Sequence, residues 1–335
     1  MTFVISSLLI TNAILIIFFS FIAKYLNLID KPNERKSHIG NIPLIGGISI
    51  YFSFIIHLYF IDLPFFINVI FLSGLVLIII GIFDDSFQLS VTIRLLFQLI
   101  ASLIVVGSGL NIIDIGNYEI YGNIELGIFG VLFSIFAVTA TINAYNFMDG
   151  IDGLAAGLIL VALFSILFFS YLNQSTQNIE IIIYAIVLVS LFLIINLKLT
   201  PFNKIFLGDA GSMFLGFLIA WLLIFYTHPD FRNFHPVLTL WCVSIPAYDS
   251  FAVFINRLKR NQNPFMPNKD HIHHLLIQSG YNQRLALLII LLFSIFLSIA
   301  GGLIFYFLGA LVCFLSYFLF FFLYILLITS KFHSS

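Results

Sequence analysis

The sequence predicts an all-α polytopic membrane protein with about 11 transmembrane helices and one short external β-hairpin. Two features of the composition support this prediction: 61% of the 335 residues are hydrophobic, and only 9% are charged. Soluble domains usually have a charged fraction of about 25%, and a chain this apolar would expose large hydrophobic patches in water. The third feature is a series of apolar runs of about 20 residues, the length that crosses a bilayer as a helix.

The predicted spans occupy most of the chain and leave no room for a separate soluble domain. They cover residues 3–23, 44–60, 65–83, 92–109, 127–147, 154–172, 180–198, 210–227, 236–256, 285–305 and 308–330. The chain, 1–335, is therefore predicted to be a single integral membrane domain. Its first span has neither a basic start nor a clear small-residue cleavage site, so we expect it to be retained rather than removed as a signal peptide.

The basic residues orient these spans. Thirteen of the 14 Lys and Arg residues fall on one side, and Arg232 falls on the other. The positive-inside rule makes the basic side cytoplasmic, which puts the N-terminus outside and the C-terminus inside. The cytoplasmic face then consists of loops 24–43, 84–91, 199–209 and 257–284. Segment 110–126 partly alternates apolar and polar residues between turn signals, which predicts an external β-hairpin.

Charge, cysteines and the lack of internal repeats exclude several classes of function. A net charge of −1 argues against a nucleic-acid partner. Cys242 and Cys313 both lie in apolar runs, which indicates neither a disulfide framework nor a zinc site. The sequence shows no internal repeat, which weakens a transporter interpretation built on inverted repeats.

Two adjacent acids, Asp84 and Asp85, directly follow the third apolar run. Neighbouring carboxylates repel each other unless a cation or a shared proton offsets the repulsion. A solvated loop accounts for the pair equally well, so this motif alone leaves both interpretations open. Arg94 and Gln98 begin the next span one helical turn apart on the same face, although Arg94 also fits a simple topology anchor.

Polar residues recur every third position at the end of the fifth span, at Asn143, Asn146, Asp149 and Asp152. On a helix this spacing makes a stripe along one face. A charge within the membrane costs about 2.5–3.5 kcal/mol on insertion scales, so the stripe is expected to face the bundle or a wet cleft. Capping of the sixth span by Asp149 or Asp152 is the alternative. It explains one aspartate and leaves the asparagines unexplained.

Asp209 opens the eighth span between Gly208 and further small residues. A carboxylate at a helix N-terminus is stable there on electrostatic grounds alone. The functional interpretation is a ligand for a hard cation such as Mg²⁺, with small neighbours that let phosphate oxygens approach. Asn196, near the end of the seventh span, is a weaker candidate.

The loop after the ninth span contains Arg257 and the histidines His271, His273 and His274, with Asp249 just before it. Basic loops beside a membrane often anchor topology or contact lipid phosphates, and clustered histidines can bind a transition metal. No cysteine accompanies these histidines, and nearby aspartates favour hard cations. Arginine and histidine side chains here fit a bound diphosphate, and Lys36 in the first cytoplasmic loop is a further candidate phosphate contact.

Six acids are predicted at the cytoplasmic ends of five spans, and we interpret them as one site for a metal and phosphates. They are Asp84, Asp85, Asp149, Asp152, Asp209 and Asp249. A cytosolic nucleotide diphosphate and a lipid phosphate from the bilayer could meet at this depth.

These motifs resemble those of the polyprenyl-phosphate N-acetylhexosamine-1-phosphate transferase family, which includes the MraY translocases of peptidoglycan synthesis. The resemblance spans essentially the whole chain and rests on DD at 84–85, NAYNFMDGIDGL at 143–154, FLGDAGS at 206–212, HIHH at 271–274 and KPNERKSHIGNIPLIGG at 31–47. Within the family the pattern is similar to the bacterial WecA type. MraY enzymes usually carry three consecutive histidines and a TPTMGG stretch, whereas Ile272 interrupts the histidines here and IPLIGG replaces that stretch.

The resemblance implies transfer of GlcNAc-1-phosphate from UDP-GlcNAc to undecaprenyl phosphate, with UMP released at the cytoplasmic face of a bacterial inner membrane. The product would prime O-antigen, common-antigen or teichoic-acid synthesis. The resemblance also implies Mg²⁺ or Mn²⁺ bound by Asp209. The catalytic candidates are Asp84, Asp85, Asp149, Asp152 and His271, and the substrate-binding candidates are Lys36, Asn146, Asn196, Arg257, His273 and His274.

Several alternatives stay open at the level of sequence. The donor could be another UDP-N-acetylsugar, such as UDP-QuiNAc, UDP-FucNAc or UDP-GalNAc. A transporter is disfavoured because the polar residues gather at one face, and a lipid-binding scaffold would leave the acids without a purpose. Direct attack by the lipid phosphate and a covalent aspartyl-phosphate route are both compatible with the residues. The oligomeric state, a homodimer included, is open.

Overall fold

The computed structural model describes residues 2–31, 40–58, 63–262 and 270–332. The candidate phosphate contact Lys36 lies outside this part of the chain. Twelve α-helices and a 3-10 turn at Pro229–Phe231 make up most of the described residues. The helices are α1 (Thr2–Ile22), α2 (Gly46–Leu58), α3 (Phe65–Phe87), α4 (Val91–Gly107), α5 (Phe129–Phe147), α6 (Leu154–Leu172), α7 (Glu180–Asn196), α8 (Gly208–Thr227), α9 (Val237–Cys242), α10 (Ser244–Lys259), α11 (Ile272–Gln278) and α12 (Gln283–Phe332).

Six helices in the described part of the chain are long and apolar enough to cross a membrane, namely α1, α3, α5, α6, α8 and α12. The helices α2, α4 and α7 are apolar but shorter. The prediction of an all-α polytopic membrane protein is confirmed. The number of membrane crossings and their orientation stay predictions.

Helix α8 forms the centre of the bundle, because every residue from Ala210 to Thr227 is buried. Small residues let its neighbours approach closely, as is common between membrane helices. A Cβ placed on Gly81 of α3 would lie 2.2 Å from the Cα of Ala210, and one on Gly47 of α2 would lie 1.9 Å from the Cα of Gly211. These glycine contacts bring the end of α3 and the beginning of α2 against the beginning of α8.

The helices that carry the motif residues have boundaries that differ from the predicted ones. The acids Asp84 and Asp85 belong to the last turn of α3, which continues to Phe87, and so they are not in a loop beginning at residue 84. The predicted ninth span is interrupted at Val243, whose φ of −117° and ψ of 21° are not helical. Beyond that break α10 continues to Lys259, so Arg257 is helical rather than part of a loop.

The C-terminal third differs from the prediction in two further places. The predicted loop 257–284 contains a short helix, α11. The last two predicted spans form one helical run that is interrupted at Gly309, with φ 83° and ψ 178°. A positive φ of this size favours glycine, so the residue allows the chain to leave one helix and begin the next.

The predicted β-hairpin is confirmed as β3 (Asp114–Tyr118) and β4 (Gly122–Glu125), which pair antiparallel, and its external location stays a prediction. It is held at two points. Arg232 donates from Nη2 to both carboxylate oxygens of Asp114, at 2.7 and 2.6 Å, and Glu119 accepts the backbone N–H of Ala310, at 2.7 Å, just after the break at Gly309. A second antiparallel pair, β1 (Ile29–Asp30) with β2 (Ile42–Pro43), was not predicted.

Candidate active site

The polar ends of α3, α5 and α8 meet at one end of the bundle, here called the acidic end and defined by Asp84, Asp85, Asn146, Asp149 and Asp209. Direct hydrogen bonds join several of these residues across the helices that carry them. The close packing of α3 and α5 against α8 positions the cluster, since the helix ends cannot separate without opening the core.

Asp85 caps the beginning of α8. Its Oδ1 accepts the backbone N–H of Asp209 at 2.9 Å, and its Oδ2 accepts that of Ala210 at 3.3 Å. The first N–H groups of a helix have no partner within the helix and carry partial positive charge. Gly208, at φ +76°, leaves room for this contact, because a Cβ there would lie 2.7 Å from Asp85 Oδ2. Asp85 therefore fixes the turn that carries Asp209.

Asp84 is buried and firmly held. Its Oδ1 accepts the backbone N–H of Leu89 at 2.7 Å, and its Oδ2 accepts Arg94 Nη1 at 3.1 Å. Arg94 is thus the partner of a candidate catalytic acid and more than a topology anchor. The Asp84 carboxyl group is also close enough to the Asp209 carboxyl group for their negative charges to repel, a proximity that calls for a shared proton or a cation.

The asparagines of the predicted stripe face into the bundle, as expected. Asn146 donates from Nδ2 to Asp209 Oδ1 at 2.7 Å and to Ser212 Oγ at 2.9 Å. Asn143 donates to Gln98 Oε1 at 2.8 Å. These bonds tie α5 to α8 and to α4, and they orient the Asp209 carboxylate.

The aspartates of the stripe are not on the helix, because α5 ends at Phe147. Asp149 and Asp152 lie in the turn that follows. Neither caps α6, whose N-cap residue is Gly153 with no side-chain hydrogen bond. The capping interpretation is therefore wrong, and both carboxylates are available for other partners.

Asp149 lies in this turn, and its carboxyl group binds a proton more tightly than an ordinary aspartate does. It is exposed to solvent, yet neighbouring protein groups displace part of its hydration. This desolvation, together with the charges of Asp209 and Asp152, raises the pKa of Asp149 to about 7. A carboxyl group with a pKa near neutral can hold or release a proton at physiological pH.

Lys204 is a site residue that the sequence analysis did not single out. It pairs with Asp152, with 2.5 Å from Nζ to Oδ2, and its ammonium lies 5.0 Å from the centre of the Phe206 ring. Its position in the NKIFLGDAGS segment, five residues before Asp209, is the signal that could have identified it.

Asn196 links two parts of the site through backbone groups. Its Oδ1 accepts the N–H of Gly153 at 2.7 Å, and its Nδ2 donates to the carbonyl oxygen of Ile205 at 2.9 Å. The side chain is buried. These contacts give Asn196 a positioning role that joins the Asp149–Gly153 turn to the segment before α8, and its predicted contact with substrate stays a prediction.

The histidines lie against the same turn. His271 contacts the ring of Phe147, with 5.2 Å between centroids. His273 is 1% exposed and lies against Gly150, where a Cβ would come within 2.2 Å of its Nε2. Neither ring nitrogen of His273 has a hydrogen-bond partner among the described residues. Burial, followed by the charges of His274 and His271, lowers the pKa of His273 to about 2, so its ring is neutral.

His274 and Arg257 complete the predicted set. The ring of His274 lies 4.1 Å from that of His273. Arg257 is buried in the last turn of α10, two helical turns beyond Asp249. Direct hydrogen bonds thus join Asp85, Asp209 and Asn146, and packing places His271 and His273 against Phe147 and Gly150, beside Asp149.

The donor chemistry of the acidic end fits a hard divalent cation. Asp84, Asp85 and Asp209 converge there, and Arg94 is paired with only one of them. Among the described residues no group of three or more His, Cys, Asp or Glu side chains is arranged so that it could hold a metal ion. Mg²⁺ commonly binds through one or two carboxylates and keeps its remaining positions for water and substrate phosphates, so Asp209 with one neighbouring acid would be enough to hold it.

Comparison with known proteins places the acidic end within a recognised family region. Residues 67–227, which run from α3 to the end of α8, match the glycosyl transferase family 4 profile. Several relatives carry the name undecaprenyl-phosphate alpha-N-acetylglucosaminyl 1-phosphate transferase. The protein from Escherichia coli K12 is 38% identical over 288 residues, or 84% of this chain and 77% of the relative.

Two more distant relatives have the same name. The protein from Yersinia pestis is 35% identical over 287 residues, covering 84% of this chain and 78% of the relative. The protein from Haemophilus influenzae is 34% identical over 324 residues, covering 92% of this chain and 88% of the relative. The similarity therefore extends well beyond the family region, to most of the length of each chain.

Proposed function

The chain belongs to glycosyl transferase family 4, and from this premise we propose that it transfers GlcNAc-1-phosphate from UDP-GlcNAc to undecaprenyl phosphate. The products are undecaprenyl-diphosphate-GlcNAc and UMP. The observation that carries the proposal is the convergence of Asp84, Asp85 and Asp209 at one end of a membrane bundle. Such a site suits a reaction between a water-soluble diphosphate and a lipid phosphate.

Asp209 is the proposed ligand for Mg²⁺ or Mn²⁺, with Asn146 orienting its carboxylate and Asp85 holding its helix turn. When bound, the ion supplies charge neutralisation for the diphosphate oxygens. This assignment agrees with the excess of carboxylates over cationic side chains in the cluster that defines the acidic end.

Asp84 is proposed to orient the acceptor phosphate. Its two oxygens are already engaged by Leu89 and Arg94, which makes it a poor free base. A phosphate monoester is largely ionised near neutral pH, so the lipid phosphate does not depend on a base to become nucleophilic. We therefore favour direct attack of a lipid phosphate oxygen on the β-phosphorus of UDP-GlcNAc.

The donor is proposed to lie beside the Asp149–Gly153 turn and the histidines that pack on it. The single N–H of the neutral, buried His273 ring, whose nitrogens have no partner among the described residues, together with His271, His274 and Arg257, would donate to diphosphate oxygens. Asp149, with a pKa of about 7, would exchange a proton with the leaving UMP. Asp152, paired with Lys204, would bind on the nucleotide side.

The acidic end is proposed to face the cytoplasm of a bacterial cell, in the inner membrane. Support comes from the distribution of basic residues, 13 of 14 of which lie on the side predicted to be cytoplasmic. The UDP-sugar would then arrive from the cytosol and undecaprenyl phosphate from the inner leaflet.

The test is incubation of the purified full-length chain with undecaprenyl phosphate, MgCl₂ and one UDP-sugar at a time, followed by mass spectrometry of the lipid product. UDP-GlcNAc should give undecaprenyl-diphosphate-GlcNAc. UDP-GalNAc, UDP-QuiNAc and UDP-FucNAc are the comparison donors, and a faster reaction with one of these would reassign the sugar. Absence of product with every donor, from folded protein, would contradict the proposed reaction.

A further inference from the structure

We propose that Asp249 is a positioning residue that, together with Tyr324, fixes the ring orientation and the tautomer of His271. The inference rests on the proposed function, in which His271 contacts the substrate diphosphate. It assigns a role to a fully buried acid that the proposed reaction does not otherwise use.

Asp249 collects three hydrogen bonds while fully shielded from solvent. It is 0% exposed in the middle of α10. Its Oδ2 lies 2.6 Å from His271 Nδ1. Its Oδ1 accepts the backbone N–H of Ile272 at 2.8 Å and the hydroxyl of Tyr324 at 2.9 Å. A buried carboxylate is costly unless it is fully hydrogen-bonded, and these donors meet that requirement.

The three donors come from elements that are far apart in sequence. His271 and Ile272 are the first residues of the α11 segment, and Tyr324 belongs to the last part of α12. The Asp249 carboxylate therefore links the beginning of α11 to both α10 and α12 by hydrogen bonds. The position of His271, His273 and His274 depends on these bonds, since α11 is only two turns long.

The pairing also decides which nitrogen of His271 is available. A carboxylate only accepts hydrogen bonds, so Nδ1 carries the proton and Nε2 is the nitrogen left for a ligand. A carboxylate on Nδ1 fixes the tautomer and stabilises the charged ring if Nε2 gains a proton. The ring of Phe147 on one side, at 5.2 Å, and the nearly parallel ring of His273, at 6.0 Å, hold its plane.

The competing explanation is that Asp249 only fastens α10 to α12. The chain offers a matched control for it. Tyr248, the preceding residue, is 1% exposed and donates its hydroxyl to the backbone oxygen of Tyr317 on α12, at 2.7 Å. Tyr248→Phe and Tyr324→Phe each remove one buried tyrosine hydroxyl from the same helix interface, but only Tyr324 reaches Asp249.

The experiment compares four full-length proteins in lipid nanodiscs: wild type, Asp249→Asn, Tyr324→Phe and Tyr248→Phe. Steady-state kinetics with UDP-GlcNAc give kcat and KM, and ¹⁵N-histidine NMR, assigned with His271→Gln, reports the tautomer of His271. We expect Asp249→Asn to lower kcat roughly 10–100-fold, with a smaller change in KM. Tyr324→Phe should lower kcat less, and Tyr248→Phe should keep kcat near that of wild type.

The spectra should show a proton on Nδ1 of His271 in the wild type and in Tyr248→Phe, and a shift toward an Nε2 proton in Asp249→Asn. The proposal is overturned by an Nε2 proton in the wild type, by an unchanged tautomer in Asp249→Asn, or by equal losses of kcat in the two tyrosine variants. If Asp249→Asn does not fold, the kcat values of Tyr324→Phe and Tyr248→Phe decide between positioning of His271 and a purely structural contact of α10 with α12. If the wild-type protein makes no lipid product, the proposed function is wrong. The tautomer of His271 then still tests whether Asp249 positions its ring.

Discussion

At the scale of single residues, the adjacent acids Asp84 and Asp85 have different partners. Both oxygens of Asp85 accept backbone N–H groups at the start of α8, while those of Asp84 are engaged by Arg94 and the Leu89 backbone. A pair that looks symmetrical in sequence thus contains one helix cap and one acid that lies beside Asp209.

Asp85→Asn should lower both stability and activity. The amide has a single acceptor oxygen and no charge for the helix N-terminus, so we expect a loss of about 1 kcal/mol of folding stability. Activity should fall because the Asp209 turn loosens. Thermal unfolding and UMP release measure the two effects. Ser90→Ala is the control, since Ser90 caps α4 through a weaker contact, 3.4 Å from Ile93 N; a similar loss of activity there would contradict the special role of Asp85.

Asp149 should make the stability of the metal-free protein depend on pH. Its pKa is about 7 in the folded protein against an ordinary value of 3.8, so unfolding releases a proton between these values. The stability that this proton provides is fully present below the ordinary pKa and is lost as the pH rises to about 7. In EDTA, Asp149→Asn should therefore unfold at a higher temperature than wild type above neutral pH, and the difference should vanish in acid. Identical unfolding temperatures at alkaline pH would contradict the raised pKa.

At the scale of elements, the β-hairpin and the acidic end are predicted to respond differently to the loss of an arginine. Arg232 bonds both oxygens of Asp114, which is 3% exposed in its side chain. Arg232→Ala leaves this acid without its charged partner and should cost about 1–3 kcal/mol of stability, with kcat near that of wild type. Arg257→Ala should instead reduce kcat with UDP-GlcNAc. Equal kinetic losses would mean that the predicted sidedness of the two arginines is wrong.

The elements that sequence could predict are those with a local signature. Apolar runs predicted most helices, Gly116 and Gly122 marked the hairpin, and the glycine beside Asp209 marked the beginning of α8. The cap that Asp85 provides could not be predicted, because it joins residues 124 positions apart through the packing of Gly81 on Ala210. The break at Val243 has a local mark, since Pro246 lies in the first turn of α10, where proline is tolerated. The short helix α11 begins at Ile272 with no glycine or proline in it and could not be predicted in this way.

The catalytic and binding candidates divide in the same way, into those with a local sequence signature and those whose contacts depend on the tertiary fold. The acids and histidines were found from their residue types and spacing. Lys204, which pairs with Asp152, was counted only as a basic residue, since nothing local shows that it lies beside an acid 52 positions away. Asn196 was found, but its bonds to the backbone of Gly153 and Ile205 depend on the tertiary fold.

At the scale of the whole molecule, the scarce charges are divided between two ends of one helix bundle. The acidic end holds the acids that converge on Asp209, while Arg232 and Asp114 form a closed pair beside the hairpin. This division places four carboxylates, one of them bonded to Arg94, in the acidic cluster, and one acid, Asp114, beside the Arg232 that neutralises it. It also favours an enzyme acting at one membrane surface over a transporter, which requires polar groups near the midplane.

The most direct test of the central claim is UMP release from UDP-GlcNAc by the purified chain, measured with and without undecaprenyl phosphate, for wild type and Asp209→Asn in MgCl₂. We expect wild type to release UMP only when the lipid is present, and Asp209→Asn to lower the rate about 100-fold or more. Near-normal release by folded Asp209→Asn would contradict the assignment of the metal site. A burst of UMP without lipid would contradict direct attack and support a covalent intermediate.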